Sequence, residues 1–285
     1  MSSKRIYALS MLLLALLLAS NASFISHQFP GSFQVPFAKG LVGFFPLYNN
    51  LSDYSENDQH LLYSHRQDYL DLGLQLSGDP NNYLEISNWK EVAKGKTERT
   101  VALWVKPLYL DQMRPLVWDG TETNPTHPTL TLWVNSAASL LRSATFKGPY
   151  KDTAFHWGLE KRVFAALTVS YKKGIARVYV NGNLEKEIPF DPQDVDSSNQ
   201  LFIGRGFNPE SQLVGIVSSL SIWDRPLSES EMGLLYLQQN EQLEIKRTRE
   251  RFILGLTYFC AFCLGYAGLF ILLGFKPWSK LFEVD

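Results

Sequence analysis

The sequence predicts an all-β fold, an antiparallel β-sandwich, in a chain that also carries an apolar segment near each end. Between about residue 40 and residue 240, short runs of alternating apolar and polar residues are separated by Gly, Pro, Asn and Asp, which is typical of strands joined by turns. Cys260 and Cys263 both lie in the C-terminal apolar segment, so disulfide bonds cannot hold the central part together. A hydrophobic core must do so instead.

Ten runs have the character of strands, and no helical periodicity separates them before residues 228–239. Strands without intervening helices are typical of an antiparallel sandwich. In one hairpin, Asn181-Gly182 supplies the positive φ angles that a two-residue turn requires. The predicted strands are Leu41–Leu47, Leu72–Leu76, Tyr83–Ile86, Thr100–Lys106, Arg114–Trp118, Thr129–Val134, Arg162–Tyr171, Ile175–Asn181, Leu201–Gly204 and Val214–Trp223.

The N-terminal apolar segment has the pattern of a secretory signal. Lys4 and Arg5 precede the apolar run Ile6–Ala19, and the small residues Ser20-Asn21-Ala22 follow it. A basic start, an apolar centre and a small-residue site together indicate a signal peptide that is cleaved after Ala22. An uncleaved signal anchor is the alternative interpretation.

The C-terminal apolar segment, residues 252–275, carries no charge over about 24 residues. A helix of this length, at about 1.5 Å per residue, crosses a hydrocarbon core about 30 Å thick, and it is therefore predicted to insert into the lipid bilayer. Ala261 and Gly265, four residues apart, indicate a face suited to helix pairing. The predicted organisation is 1–22 signal peptide or signal anchor, 33–240 sandwich, 241–251 charged juxtamembrane linker, 252–275 transmembrane helix and 276–285 short tail.

The two apolar segments also predict an orientation. Export by the signal places the sandwich on the extracytoplasmic side of the plasma (inner) membrane, with a single pass after signal cleavage and a cytoplasmic tail. The charges beside the second segment favour the reverse, because four basic residues precede it and two follow it. The first apolar segment usually sets the orientation, so we expect the signal to prevail. The four basic residues before the second segment are Lys246, Arg247, Arg249 and Arg251, and the two after it are Lys276 and Lys280.

The charge balance argues against a nucleic-acid partner. The formal net charge is −1, from 27 Lys and Arg against 28 Asp and Glu. The chain therefore has no basic excess with which to neutralise phosphates.

Several segments carry patterns that belong together. One loop has Asp53, Ser55, Asn57 and His60 in a D-x-S-x-N-x-x-H pattern. The other segments are Gly40–Leu47, Leu74–Gly78, Tyr83–Ile86, Thr100–Pro107, Val178–Gly182, Leu201–Arg205 and Ile222–Glu231. In this order they resemble the laminin-G-like jelly-roll domains of the concanavalin A-like lectin/glucanase superfamily, over about 190 residues. The resemblance implies a jelly-roll sandwich but no particular function, because the superfamily includes lectins, adhesion modules, glycosidases and spacers.

The resemblance also bears on calcium. Where members of the family carry an acidic pair in the last strand, this sequence has Ser218 and Ser219, which argues against a bound Ca²⁺ ion. Asp53, Asn57 and Asp58 still offer oxygen atoms of the kind that this ion prefers. They are the candidate metal ligands, and no cofactor is firmly predicted.

Catalytic chemistry finds little support in the sequence. The glycosidases of the family carry an E-x-D-x-x-E strand motif, which presents two carboxylates on one face of a sheet. The predicted strands contain no such pair, and Glu85 is alone in its strand. The five histidines lack the spacings of metal-binding or hydrolytic motifs. We therefore expect a protein that is not an enzyme.

Candidate binding residues are aromatic and polar side chains on strand faces and at strand ends. Trp133 shares one face of its strand with Thr129 and Thr131, a combination that suits a sugar platform. For each aromatic candidate, packing within the sandwich is the alternative interpretation. The other candidates are Arg177 and Tyr179 on one strand, Trp118 and Asp119 at a strand end, and Trp157 in a loop.

Three functional hypotheses follow from these patterns. The first is a tethered recognition module that binds polysaccharide or a protein of the cell envelope. The second is an accessory subunit whose sandwich is a structural spacer and whose membrane helix selects the partner. The third is a divergent glycoside hydrolase. The preference for binding depends mainly on the missing pair of strand carboxylates.

Overall fold

The protein is represented by a computed structural model, which describes residues 3–20, 36–55, 57–63, 65–86, 98–110, 114–120, 130–135, 140–144, 151–156, 158–192, 200–206 and 209–272. The chain divides into two compact units. One unit is Phe33–Leu243 and holds every described strand. The other consists of Met1–Ser32 together with Glu244–Asp285.

Eight strands of the first unit form one antiparallel sheet, in the order β13-β12-β11-β6-β15-β4-β3, with β1 also paired to β15. The long strand β15 pairs with β4 through Val214–Val217 and with β1 through Leu220–Trp223. A bulge lies between these two stretches, where Ser219 takes a φ of 50°. The strands are β1 (Leu41–Phe45), β3 (Tyr69–Leu70), β4 (Gly73–Ser77), β6 (Arg99–Pro107), β11 (Val163–Ser170), β12 (Ile175–Val180), β13 (Asn183–Pro189) and β15 (Val214–Trp223).

Seven strands form the second antiparallel sheet, in the order β10-β9-β8-β7-β14-β5-β2. Its centre is β7, which pairs with β8 on one side and with β14 on the other. Two packed antiparallel sheets confirm the sandwich that the strand pattern predicts. The strands are β2 (Leu61–Tyr63), β5 (Leu84–Ile86), β7 (Arg114–Gly120), β8 (Leu130–Asn135), β9 (Leu140–Ala144), β10 (Lys151–His156) and β14 (Gln200–Ile203).

The main core consists of the side chains that alternate strands direct inward. From the eight-stranded sheet, Leu103 and Leu167 are buried in it, and from the seven-stranded sheet Leu84, Leu132 and Ile203. Each of these five side chains is almost fully removed from water, which contributes roughly 1.5–3 kcal/mol per residue. The predicted turn between β12 and β13 is confirmed, with φ angles of 49° at Asn181 and 81° at Gly182.

Helix α2 (Glu229–Leu272) covers the outer face of the eight-stranded sheet with its first turns. Met232 and Leu235 are fully buried in one cluster with Trp104, Tyr179 and Trp223 of that sheet. This second apolar layer explains why the central strands are buried on both faces. Their outward-facing side chains contact a helix instead of water.

Polar contacts fix the position of these first turns. The side chain of Gln239 accepts a hydrogen bond from Trp104 Nε1 and donates one to Ser221 Oγ, both at 3.0 Å. Ser228 and Glu231 form a capping box, because the backbone N–H of each donates to the side chain of the other. Glu231 also accepts two hydrogen bonds from Arg225, and this interaction lowers its pKa to about 2.

Beyond the sandwich, α2 continues without interruption. Residues 241–251, which the sequence predicted as a linker, are helical, and Glu244 accepts a hydrogen bond from Arg247 within them. Helical continuity follows from the composition, since this stretch contains strong helix formers and neither Gly nor Pro. Among the described residues, α2 is the helix that is long and apolar enough to cross a membrane. A shorter apolar helix, α1 (Ser3–Ser20), belongs to the same unit as the apolar part of α2.

Candidate functional site

The loop with the D-x-S-x-N-x-x-H pattern holds the edge of β1. Asp53 Oδ1 accepts hydrogen bonds from the backbone N–H groups of Phe44 and Ser55, at 2.9 and 2.8 Å. Asp53 Oδ2 accepts from Ser55 Oγ at 2.8 Å and from the N–H of Gln59 at 2.9 Å. Asn57 donates from Nδ2 to the carbonyl of Leu41 at 2.8 Å. The loop thus occupies polar groups of β1 that a neighbouring strand would otherwise satisfy.

These bonds change the interpretation of the candidate metal ligands. Both oxygens of Asp53 already accept hydrogen bonds, Asn57 holds the backbone, and Asp58 takes a φ of 53° within the same loop. In the part of the chain that the structure describes, no group of three or more His, Cys, Asp or Glu side chains could hold a metal ion. The arrangement of this loop supports a structural role for the pattern.

Tyr179 and Arg177 lie on the outward side of β12, as the alternation along the strand predicts, but Tyr179 is fully buried. The first turns of α2 cover this face of the sheet, and burial raises the pKa of the Tyr179 hydroxyl. Arg177 is half-buried and donates from Nε to Glu187 at 2.7 Å. The two residues therefore do not form an exposed platform, because the first turns of α2 cover the outward side of β12 at Tyr179.

Asp119 points into the sandwich and pairs with Arg99. The two side chains are 3% and 4% exposed, and they join β7 of one sheet to β6 of the other. The guanidinium of Arg99 lies 5.3 Å from the centre of the Tyr171 ring, whose hydroxyl pKa is raised by burial. Asp119 is thus part of a buried ionic link between the sheets. It does not present its carboxylate at the rim.

Trp118 and Trp133 come together on the outer face of the seven-stranded sheet. Their rings meet edge to face at 5.9 Å, and both are packed with Phe202 of β14. The registers align Phe202 with Trp118, and Trp118 with Thr131. Trp118 and Trp133 are only 3% and 2% exposed, so they form an aromatic base rather than a surface that a ligand could contact directly.

The residues that lie partly exposed around this base are Tyr83, Glu85, Gln200 and Arg205, which we call the outer-face patch. The guanidinium of Arg205 lies 4.2 Å from the centre of the Tyr83 ring and 5.1 Å from that of Phe202. Tyr83 meets Phe202 edge to face at 5.5 Å. Gln200 donates from Nε2 to Glu85 at 3.2 Å. The patch therefore combines a supported aromatic ring, a cation, an amide and a carboxylate on one sheet face.

The six candidate binding residues are thus distributed over separate places. Trp118 and Trp133 meet on one sheet, whereas Tyr179 and Arg177 lie on the other, so Trp133 and Tyr179 cannot contribute to one surface. Trp157 lies outside the described residues. The residues of the outer-face patch are not among the predicted binding residues, although the alternation of Leu201 and Ile203 with Gln200 and Phe202 places Gln200 on the outer face.

The carboxylates of this sheet bear on the glycosidase hypothesis. Among the side chains that the structure describes in the seven-stranded sheet, Glu85 lies on the outer face and Asp119 on the inner one. Most glycosidases need two carboxyl groups that flank the scissile bond within one cleft, about 5–10 Å apart. Glu85 and Asp119 do not meet that requirement, because the sheet separates them.

Solved structures with a similar fold are known. The sialidase of Trypanosoma rangeli in complex with 2,3-difluorosialic acid has a TM-score of 0.61 and 18% identity, over 79% of this chain and 39% of that chain. The binding domain of botulinum neurotoxin DC in complex with rat synaptotagmin II has a TM-score of 0.54 and 12% identity, over 70% of this chain and 52% of that chain. This chain therefore spans between about two fifths and one half of the length of these proteins, and at such identities the likeness concerns the fold.

Sequence comparison assigns the family. No curated protein matches the sequence significantly. A family model, that of the concanavalin A-like lectin/glucanases superfamily, matches residues 77–233, from the end of β4 to the first turns of α2. This match covers more than half of the chain and agrees with the observed sandwich. The chain therefore belongs to the concanavalin A-like lectin/glucanases superfamily.

Proposed function

We propose that this protein is a membrane-anchored recognition module that binds carbohydrate on the extracytoplasmic side through the outer-face patch. The observation that carries the proposal is the partly exposed Tyr83 ring, which contacts both Phe202 and the guanidinium of Arg205. A ring held in one orientation loses little freedom when a sugar stacks on it. The hydrogen-bonding groups of Glu85 and Gln200 lie on the same sheet face.

Two further facts support this choice of face. The first turns of α2 cover the outer face of the eight-stranded sheet at Trp104, Tyr179 and Trp223, which removes these aromatic side chains from contact with a ligand. One protein of similar fold, botulinum neurotoxin type C, is described as interacting with two ganglioside molecules, and the sialidase was solved with a sialic acid derivative. These relatives make carbohydrate the first class of ligand to test, with an envelope protein as the alternative.

The membrane part of the proposal depends on α2. Its apolar portion anchors the protein in the plasma membrane, and the signal-like N-terminal segment exports the sandwich. A protease added to intact cells or spheroplasts should then digest the sandwich. Protection of the sandwich from the protease would refute this orientation.

Binding is tested with the full chain in lipid nanodiscs, applied to a panel of envelope polysaccharides. We expect saturable binding to at least one glycan, and Tyr83→Ala should weaken it by roughly tenfold, equivalent to about 1.4 kcal/mol for one lost ring contact. Tyr83→Phe keeps the ring and should keep most of the affinity. Arg177→Ala, which removes a partly exposed cation from the other sheet, is the matched control and should bind like the wild type.

The possible results separate the hypotheses. Equal loss of affinity in Arg177→Ala and Tyr83→Ala would remove the outer-face patch from consideration. Absence of saturable binding to any glycan would overturn carbohydrate recognition and favour the spacer hypothesis. Release of reducing sugar would favour the glycosidase.

A further inference from the structure

Helix α1 has one face that is turned away from solvent. Ala15 is 8% exposed, whereas its neighbours Leu13 and Leu16 are 60% and 67% exposed. The other shielded positions follow the helical spacing of three or four residues, and they are Met11, Leu12, Leu18 and Ala19. Both α1 and the apolar part of α2 belong to the same unit.

The apolar part of α2 has a matching face made of small residues. Thr257 and Ala261 are 9% and 7% exposed, and Gly268 is also buried. Phe259 and Phe262, on the opposite side of the helix, are 64% and 69% exposed. The buried positions are thus spaced by four and seven residues, so they form one continuous line along the helix.

The two faces are in contact. A Cβ atom placed on Gly265 would lie 3.8 Å from the Cβ atom of Ala15, an ordinary van der Waals distance. Within lipid, helices associate by close packing rather than by removal of apolar surface from water, and small residues allow the backbones to approach. Ala15, Ala261 and Gly265 satisfy this condition on both helices.

We infer that α1 is not removed after export but remains as a second transmembrane helix, paired with the apolar part of α2 through Ala15, Ala261 and Gly265. A signal peptide that is cleaved needs no face complementary to the far end of its own chain. The apolar run Ile6–Ala19 has 14 residues and spans about 21 Å, less than the hydrocarbon thickness of about 30 Å, and thinning of the bilayer around α1 accommodates the difference. Both chain ends then lie in the cytoplasm.

Retention of α1 also reduces the conflict in the charge distribution. With α1 cleaved, the cytoplasmic flank of the membrane segment has two basic residues, Lys276 and Lys280, against four on the other side. With α1 retained, Lys4 and Arg5 join them, so the count becomes four against four. The positive-inside rule then no longer opposes the orientation in which the sandwich is exported.

The first test measures the mass of the protein purified from membranes. Retention predicts that the purified protein still contains the peptide with Lys4 and Arg5. A mature chain that starts at Ser23 would overturn the inference. Sugar binding by the sandwich is independent of this result, so the two proposals fail separately.

The second test asks whether the two faces meet. In a chain with Cys260→Ala and Cys263→Ala, the variants Ala15→Cys and Gly265→Cys are combined, because a Cβ–Cβ distance of 3.8 Å is that of a disulfide bond. A protease site is inserted between residues 23 and 32. After oxidation and cleavage, we expect the α1 fragment to stay attached without reductant and to be released with it.

The control replaces Ala15→Cys with Leu16→Cys, since Leu16 is 67% exposed on the other side of α1. Its fragment should be released even without reductant. Equal cross-linking of the two pairs would refute the assigned face. Cross-linking that yields only a covalent dimer would show that the partner of α2 is the α1 of a second chain, and would overturn pairing within one chain.

Discussion

Substitution of Asp119 by Ala should destabilise the sandwich strongly, because the change leaves the guanidinium of Arg99 buried without its carboxylate. Both side chains are at least 96% removed from solvent and lie between the two sheets. Removal of one member of a buried ion pair costs about 3–5 kcal/mol. For a domain of about 200 residues, this corresponds to a fall in Tm on the order of 10 °C.

Thermal unfolding of the full chain in nanodiscs, followed by tryptophan fluorescence, measures this effect. Arg177→Ala is the matched control, because it breaks a partly exposed ion pair with Glu187 that should contribute only about 0–1 kcal/mol. The double substitution Arg99→Met with Asp119→Leu should recover much of the lost Tm, since it removes both charges together. A Tm for Asp119→Ala within about 2 °C of the wild type would refute the assignment of this pair as a buried link.

Three further predictions concern the loop, the start of α2 and a turn. Asp53→Ala should lower the free energy of unfolding by about 2–4 kcal/mol, because four donors lose their acceptor. Ser55→Ala should lower it by only about 1 kcal/mol. Denaturant titration of both variants measures the two losses. Equal losses would contradict the central role of Asp53. Glu231→Gln should lower stability by about 1 kcal/mol at pH 7, and the difference should disappear as the pH falls from 4.5 towards 2, because the pKa of Glu231 is lowered to about 2 in the folded protein. Unfolding midpoints measured from pH 7 to pH 2.5 test this, and a stability difference between wild type and variant that grows in acid would contradict the prediction. Gly182→Ala should destabilise by about 1–2 kcal/mol, since the residue has a φ of 81° and its new Cβ would lie 3.0 Å from Cβ of Tyr236; an unchanged Tm would show that the turn relaxes freely.

Five strands were absent from the sequence prediction, namely β2, β3, β9, β10 and β13, and for three of them the physical cause is plain. β13 (Asn183–Pro189) lies at the end of the eight-stranded sheet, and most of its side chains are exposed. An edge strand of this kind buries little apolar surface, so its sequence does not alternate between apolar and polar residues. β2 (Leu61–Tyr63) and β3 (Tyr69–Leu70), three and two residues long, are too short to show a period. Pairing with longer strands defines all three.

The candidate binding residues show the same limit at the level of side chains. Alternation along β8 and β12 correctly places Trp133 and Tyr179 on the outward sides of their strands. It does not tell whether an outward side faces water. For Tyr179 the answer depends on Met232 and Leu235, which are more than 50 residues away in the sequence. Asp119, in contrast, points into the sandwich, where its partner Arg99 comes from a different sheet.

The sequence by itself determined that this protein is a two-layer β protein with an apolar segment near each end, because strand period, turn residues and hydropathy are local properties of the chain. Only the tertiary structure decided what each outward face of the sandwich meets. One outer face packs against α2, whereas the other supports Tyr83 and Arg205 on an aromatic base. It also decided that Ala15 of the N-terminal segment lies against Gly265. The physical reason is that burial and contact depend on residues distant in the chain, which only folding brings together.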